Sequence, residues 1–161
     1  MRTFLRIGLI FFFTLLFFPE IKAYAENKIL INEFVAHPST GNKEWVEFYN
    51  PDSADISTYW IDDDTDFAND SGNSAKKNLL TLIKTNPQHP YIELSSVLNN
   101  DGDHVVLFDS SGNILDQYEY TTDPGEDIAI GRAPDGSGQI QLLAEGTKGN
   151  NNSGPAPTAT P

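Results

Sequence analysis

No cysteine occurs anywhere in the 161 residues. Disulfides, thiol nucleophiles and thiolate metal sites are excluded together. Positive charge is scarce: 10 lysines and arginines stand against 23 aspartates and glutamates, a net charge of −13. Such a surface repels phosphates and anionic membranes and favours divalent cations and basic partners. With no basic stripe, nucleic-acid binding is not expected. A sustained 3.6-residue apolar period is also missing from Lys28 onward, so no long helix is predicted. Histidine is limited to His37, His89 and His104, without close metal-ligand spacing. His37 and His89 each precede a proline and read as loop residues, whereas His104 reads as a surface residue at a strand entrance. There is no Gly-x-Ser-x-Gly elbow and no phosphate-cradling glycine loop. The formal Ser-x-x-Lys match at Ser74-Ala75-Lys76-Lys77 lies in a Gly/Asn/Ser loop with no helical pattern after it, a chance match. Acids are plentiful, but nothing singles out a pair for acid–base work. The domain is not expected to be an enzyme.

One long apolar run is present, at the N-terminus. Arg2 and Arg6 precede Ile7–Phe18, Pro19-Glu20 breaks the run, and Ala23-Tyr24-Ala25 has the small-x-small form of a signal-peptidase site. The run is well short of the ~20 apolar residues of a spanning helix. Residues 1–25 are read as a cleaved signal peptide, with the mature chain starting at Glu26 and secreted or held at the cell surface. Losing Arg2, Arg6, Lys22 and Glu20 leaves 7 bases against 22 acids, a net charge of −15. No membrane insertion is expected after cleavage, and lipid attachment through an N-terminal cysteine is excluded.

Beyond the signal, short apolar runs alternate with Gly, Pro, Asn and Asp. Strands are predicted at Ile29–Ala36, Glu44–Tyr49, Thr58–Ile61, Leu79–Lys84, Tyr91–Leu94, His104–Asp109, Ile114–Tyr120, Ala129–Arg132 and Gln139–Leu143. Many short strands with frequent turn signals indicate an all-β sandwich or barrel. "VVLFDSSGNILDQYEY" reads as a hairpin turning at Asp109–Asn113. After Leu143 the chain runs "AEGTKGNNNSGPAPTATP", with no large apolar side chain to offset its ordering entropy. The folded domain is placed at 26–148, and 149–161 is read as a disordered tail or linker.

The order of these pieces resembles a known family. "ILINEFVAHPSTGNKEWVEFYNPDSADISTYWIDDDT", then "DGDHVVLFDSSGNILDQYEY" and "IGRAPDGSG", is similar to the lamin tail domain of exported prokaryotic proteins. The points of match are Ile31-Asn32-Glu33, Glu44–Asn50 and the turn to Trp60. Thr65–Asn78 is longer and more acidic than the family pattern, and Lys148 stands where proline is usual. The resemblance implies an immunoglobulin-like β-sandwich. It implies no chemistry, only an interaction or adhesion module that binds a protein or a cell-surface polymer. The alternative is an accessory domain of an extracellular nuclease, phosphatase or protease whose catalytic part lies outside this chain.

Two groups of residues stand out. Asp62, Asp64 and Asp66 have the 1, 3, 5 spacing of a calcium loop, but Phe67 holds the position of the turn glycine and Asn73 that of the bidentate glutamate. That excludes an EF-hand. A different cage, completed by Asp70 or the Asn99–Asp103 turn, is weighed against a solvated acidic loop, and the solvated loop is favoured. No cofactor is expected, calcium being the one alternative. The second group is structural. Trp45 and Trp60, with Phe48 and Tyr49, should fill or flank the core. Glu33 and Glu47 lie in strands where a half-buried acid needs a partner, and Arg132 is the expected bridge to one of them.

Overall fold

The computed structural model describes residues 28–70 and 74–156, so the expected export signal falls outside the described residues. In chain order the strands are β1 (Leu30–Val35), β2 (Glu44–Tyr49), β3 (Trp60–Asp62), β4 (Lys77–Asn78), β5 (Tyr91–Leu94), β6 (Asp103–Phe108), β7 (Ile114–Tyr120), β8 (Ile130–Arg132) and β9 (Ile140–Leu142). They form two sheets, of order β5-β2-β1-β8-β9 and β4-β3-β6-β7, with every pairing antiparallel. The fold is all-β, an immunoglobulin-like sandwich. Its one helical element among the described residues is a 3-10 turn, Leu79–Thr81.

Period-two alternation places the core. Ile31, Phe34, Val46, Phe48, Ile92 and Ile130 of the first sheet meet Ile61, Val105 and Leu107 of the second, all buried. Each such side chain contributes roughly 1.5–3 kcal/mol relative to exposure. The β6–β7 hairpin turns where the Asp-Ser-Ser-Gly-Asn signal sits, and Asp109 Oδ1 accepts from the amides of Ser111 and Asn113. The expected strand Leu79–Lys84 is a correction. Asn78 accepts from the Leu80 amide and caps a helical turn there, burying Leu79 and leaving Leu80 74% exposed. An unbroken apolar run does not state its period, and the capping asparagine decided it.

Arg132 is a second correction. Glu33 lies opposite Gly131 in the β1–β8 register, so the next residue, Arg132, projects to the other face of the sheet. There its Nη2 meets Asp116 Oδ2 of β7 at 2.9 Å, joining the two sheets. Its Nε donates to Ile31 O and its Nη1 to Gly138 O, while Asp116 also accepts from the Ile31 amide. Neither Glu33 nor Glu47 is its partner.

The expected tail behaves differently as far as residue 156. Ala144 N donates to Gly154 O and Ala156 N to Leu142 O, so the chain doubles back along β9. Asn152 Nδ2 donates to Asn32 O at 3.0 Å and Arg132 O at 2.8 Å. Polar side chains bonding to strand carbonyls order this segment without the apolar bulk that the composition lacks. Gly131 makes room for it: a Cβ there would lie 2.7 Å from Asn32 O and 2.9 Å from Leu143 Cδ1. Gly131→Ala is therefore expected to cost about 1–3 kcal/mol by overpacking. Chemical denaturation checks this, and an unchanged midpoint would mean that the segment does not rest on Gly131.

Candidate functional site

Acidic side chains gather on the outer face of each sheet. On the second sheet, Ile61 points into the core, so its neighbours Trp60 and Asp62 point outward. Asp62 lies opposite Val106 and Trp60 opposite Phe108. This face would be open were it not for Phe67. The Phe67 ring packs 5.1 Å from that of Phe108 and 6.1 Å from that of Trp60, centroid to centroid. Gly112, at φ +83°, supplies the bare backbone on which the ring rests, since a Cβ there would lie 2.4 Å from Phe67 Cδ1. Lys76 Nζ sits 4.8 Å above the same ring, donates to Phe67 O and lies 3.4 Å from Asp70 Oδ2. Phe67, the residue that breaks the calcium-loop pattern, is thus what fastens the loop to the sheet.

Under that loop the carboxylates are not solvated. Asp62 has no exposed surface and Asp63 is 3% exposed. Asp62 Oδ1 accepts from the Asp63 amide and Asp63 Oδ2 from the Ser74 amide. Asp62 Oδ2, Asp63 Oδ1 and Ser74 Oγ are buried with no hydrogen-bond partner among the described residues. One oxygen each from Asp62, Asp64 and Asp70 lie within 4.8 Å of one another. Burial, then the charges of Asp70, Asp64 and Asp63, push Asp62 up to about 7.

Asp66 is not in this group. Its carboxylate accepts from the backbone and side-chain nitrogens of Asn69, which hold it below the usual range. Of the expected set Asp62, Asp64 and Asp66, the structure brings Asp62 and Asp64 together with Asp70, while Asp66 caps Asn69. In the Asn99–Asp103 turn, Asp103 accepts from Asn99 N, Asn99 Nδ2 and His104 N, and Tyr120 donates its hydroxyl to Asn99 O.

On the first sheet, a bulge in β1 between Ile31 and Glu33 adds Asn32 to the outer face. Glu33 and Glu47 lie opposite each other there, fully buried beneath residues 147–152. Thr147 donates to Glu33 from its amide and its hydroxyl, the latter at 2.8 Å. Glu47 accepts from the Gly149 amide at 2.6 Å and from Asn32 Nδ2 at 2.9 Å, and His89 Nδ1 lies 3.2 Å away. Burial, the largest cause, pushes both glutamates up to about 7, with Asp135 acting on both and Glu47 acting on Glu33 in the same direction. Burial pushes His89 down. Trp45 is buried on this face with Val35, Ala129 and Leu143, and Lys148 Nζ stands 5.5 Å over its ring. Trp60 is half-buried on the opposite side of the molecule's core.

Asp116 was missed by sequence reasoning, although the signal was present: it shares a strand face with Tyr118 and Tyr120, and an acid on an apolar face needs a base. His37 pairs with Asp123 at the surface, Nδ1 to Oδ1 3.0 Å. No serine, threonine or lysine side chain among the described residues is hydrogen-bonded to a histidine. No helix among the described residues is long and apolar enough to cross a membrane.

Comparison with known proteins gives one family. The model of the Lamin Tail Domain family matches residues 22–122, more than half of the chain, and β8, β9 and the returning segment follow the matched part. No curated protein and no solved structure matches the chain.

Proposed function

The chain belongs to the lamin tail domain family, and on that premise we propose that it is a non-catalytic interaction module, exported and secreted or held at the cell surface. Its partner is a protein or a cell-surface polymer, not a nucleic acid. One observation carries the non-catalytic reading: the acids raised to about 7, Asp62, Glu33 and Glu47, are all fully buried, the two glutamates sealed beneath the segment that returns over β1 and β2. Groups tuned for chemistry have to reach a substrate. The two glutamates reach backbone amides instead.

Export rests on the N-terminal run and on Ala23 and Ala25. N-terminal sequencing of the released product should return Glu26, and Met1 retained in a membrane fraction would overturn export. The immobilised domain, starting at Glu26, should retain a protein or polymer from a surface extract. It should turn over none of a panel of simple phosphate esters, peptides and oligonucleotides. Turnover lost on a single substitution would overturn the non-catalytic reading. Co-retention of a hydrolase would instead favour the accessory-domain alternative.

A further inference from the structure

We propose that Asp62, Asp64 and Asp70 form a calcium site on the outer face of the second sheet. Three observations converge. First, one oxygen from each lies within 4.8 Å of the others. Oxygens sharing an ion at calcium's ~2.3–2.6 Å can stand no farther apart than about twice that distance. Second, the side-chain oxygens left buried without a partner among the described residues belong to Asp62, Asp63 and Ser74, all at this place. An orphaned buried oxygen is costly, and native structures rarely keep one without an ion or water to meet it. Asp62 is the clearest case, with no exposed surface and Oδ2 unmatched. Third, the local charge does not balance. Lys76 pairs with Asp70, and no base among the described residues stands within ion-pair distance of the buried Asp62 and Asp63. A divalent ion would neutralise what a single lysine does not.

The donor set indicates which ion. Only hard oxygens are present, and three carboxylates binding in one- or two-oxygen fashion, with water, reach the six to eight ligands of calcium. Magnesium demands near-ideal octahedral geometry and sheds its waters reluctantly, so a cluster of three carboxylates suits calcium's more flexible coordination better. The loop is also held in advance, because Phe67 fixes its centre against Phe108 and Trp60.

The test uses the domain from Glu26, stripped with chelator and titrated with calcium chloride, magnesium chloride or sodium chloride at matched ionic strength. Calcium at a hundredfold excess over Kd should raise the melting temperature by on the order of 10 °C. Magnesium should raise it less and sodium hardly at all. Asp62→Asn and Asp70→Asn should each abolish the calcium response, and calorimetry should lose its single-site isotherm. Asp66→Asn, outside the cluster, should keep both. Equal shifts with calcium and sodium would overturn the site, since they would report only screening of an acidic surface. Equal loss in Asp66→Asn and Asp70→Asn would overturn it too. Where one variant melts too low to measure, the other carries the result.

Discussion

Lowering the pH from 8 to 5 should stabilise the metal-free domain, and Glu33 and Glu47 should account for most of the gain. Both are raised to about 7 in the fold from an ordinary 4.5. Between these values the folded state holds more protons than the unfolded chain, so stability falls as pH rises. The penalty for burying the charged forms is fully felt above about pH 7 and has gone below about pH 4.5. At 1.36 kcal/mol per unit, the shift corresponds to about 3 kcal/mol for each group. The groups around them are Asp135, whose charge works in the same direction, and His89. His89 opposes the trend: its folded value is lowered, so its contribution is present above 6.5 and is lost as pH falls through that lowered value. The acids held low by surface hydrogen bonds (Asp55, Asp109, Asp123 and Asp127 among them) withdraw their support only below about pH 4. Asp62 acts in the same sense as the glutamates, so assignment requires variants. Glu47→Gln should raise the melting temperature at pH 8 and flatten the profile, and Glu33→Gln with Glu47→Gln should flatten it further. A double variant with the wild-type slope would remove these residues from the explanation.

Arg132→Met should lower stability by roughly 3–5 kcal/mol, the range for breaking a buried pair. The side chains of Arg132 and Asp116 are 16% and 11% exposed, and the guanidinium also serves two carbonyls. Removing it strands Asp116 between the sheets with only the Ile31 amide at hydrogen-bonding distance. Asp116→Leu combined with Arg132→Met should recover part of the loss, because an apolar pair needs no counter-charge. Denaturant midpoints at low and high salt decide the matter. A loss below about 1 kcal/mol that vanishes in salt would mark an ordinary surface pair.

What could be read in the sequence divides along physical lines. Glu44–Tyr49, Tyr91–Leu94 and Ile114–Tyr120 were located to the residue, because runs of strand-forming residues end at turn residues, although β2 is buried on both faces. Leu79–Lys84 misled because its apolar residues are consecutive. The partner of Arg132 depended on strand order and facing, which two distant acids in apolar strands do not reveal. Asp66 and Asp70 could not be told apart by spacing alone. Their roles follow from where Phe67 anchors, a contact with Phe108 across 41 positions. Composition read the stretch after Leu143 as unable to pack, and it does lack apolar bulk. Its order comes from asparagine and threonine meeting acids and carbonyls that the strands had already buried.

The returning segment also bears on how copies of the domain behave when crowded. An exposed strand edge invites a neighbouring chain to add to it. The β9 edge is met by a bridge from Leu143 to Pro155, and a proline has no N–H to offer a further strand. At the other edge of the same sheet, Ile83 bridges to Tyr91. In the second sheet, β4 is two residues long and begins with Lys77. The remaining edge, β7, carries the exposed Glu119, so two copies approaching along it would meet like charge. Dense packing of this domain should therefore not template open-ended β-polymerisation.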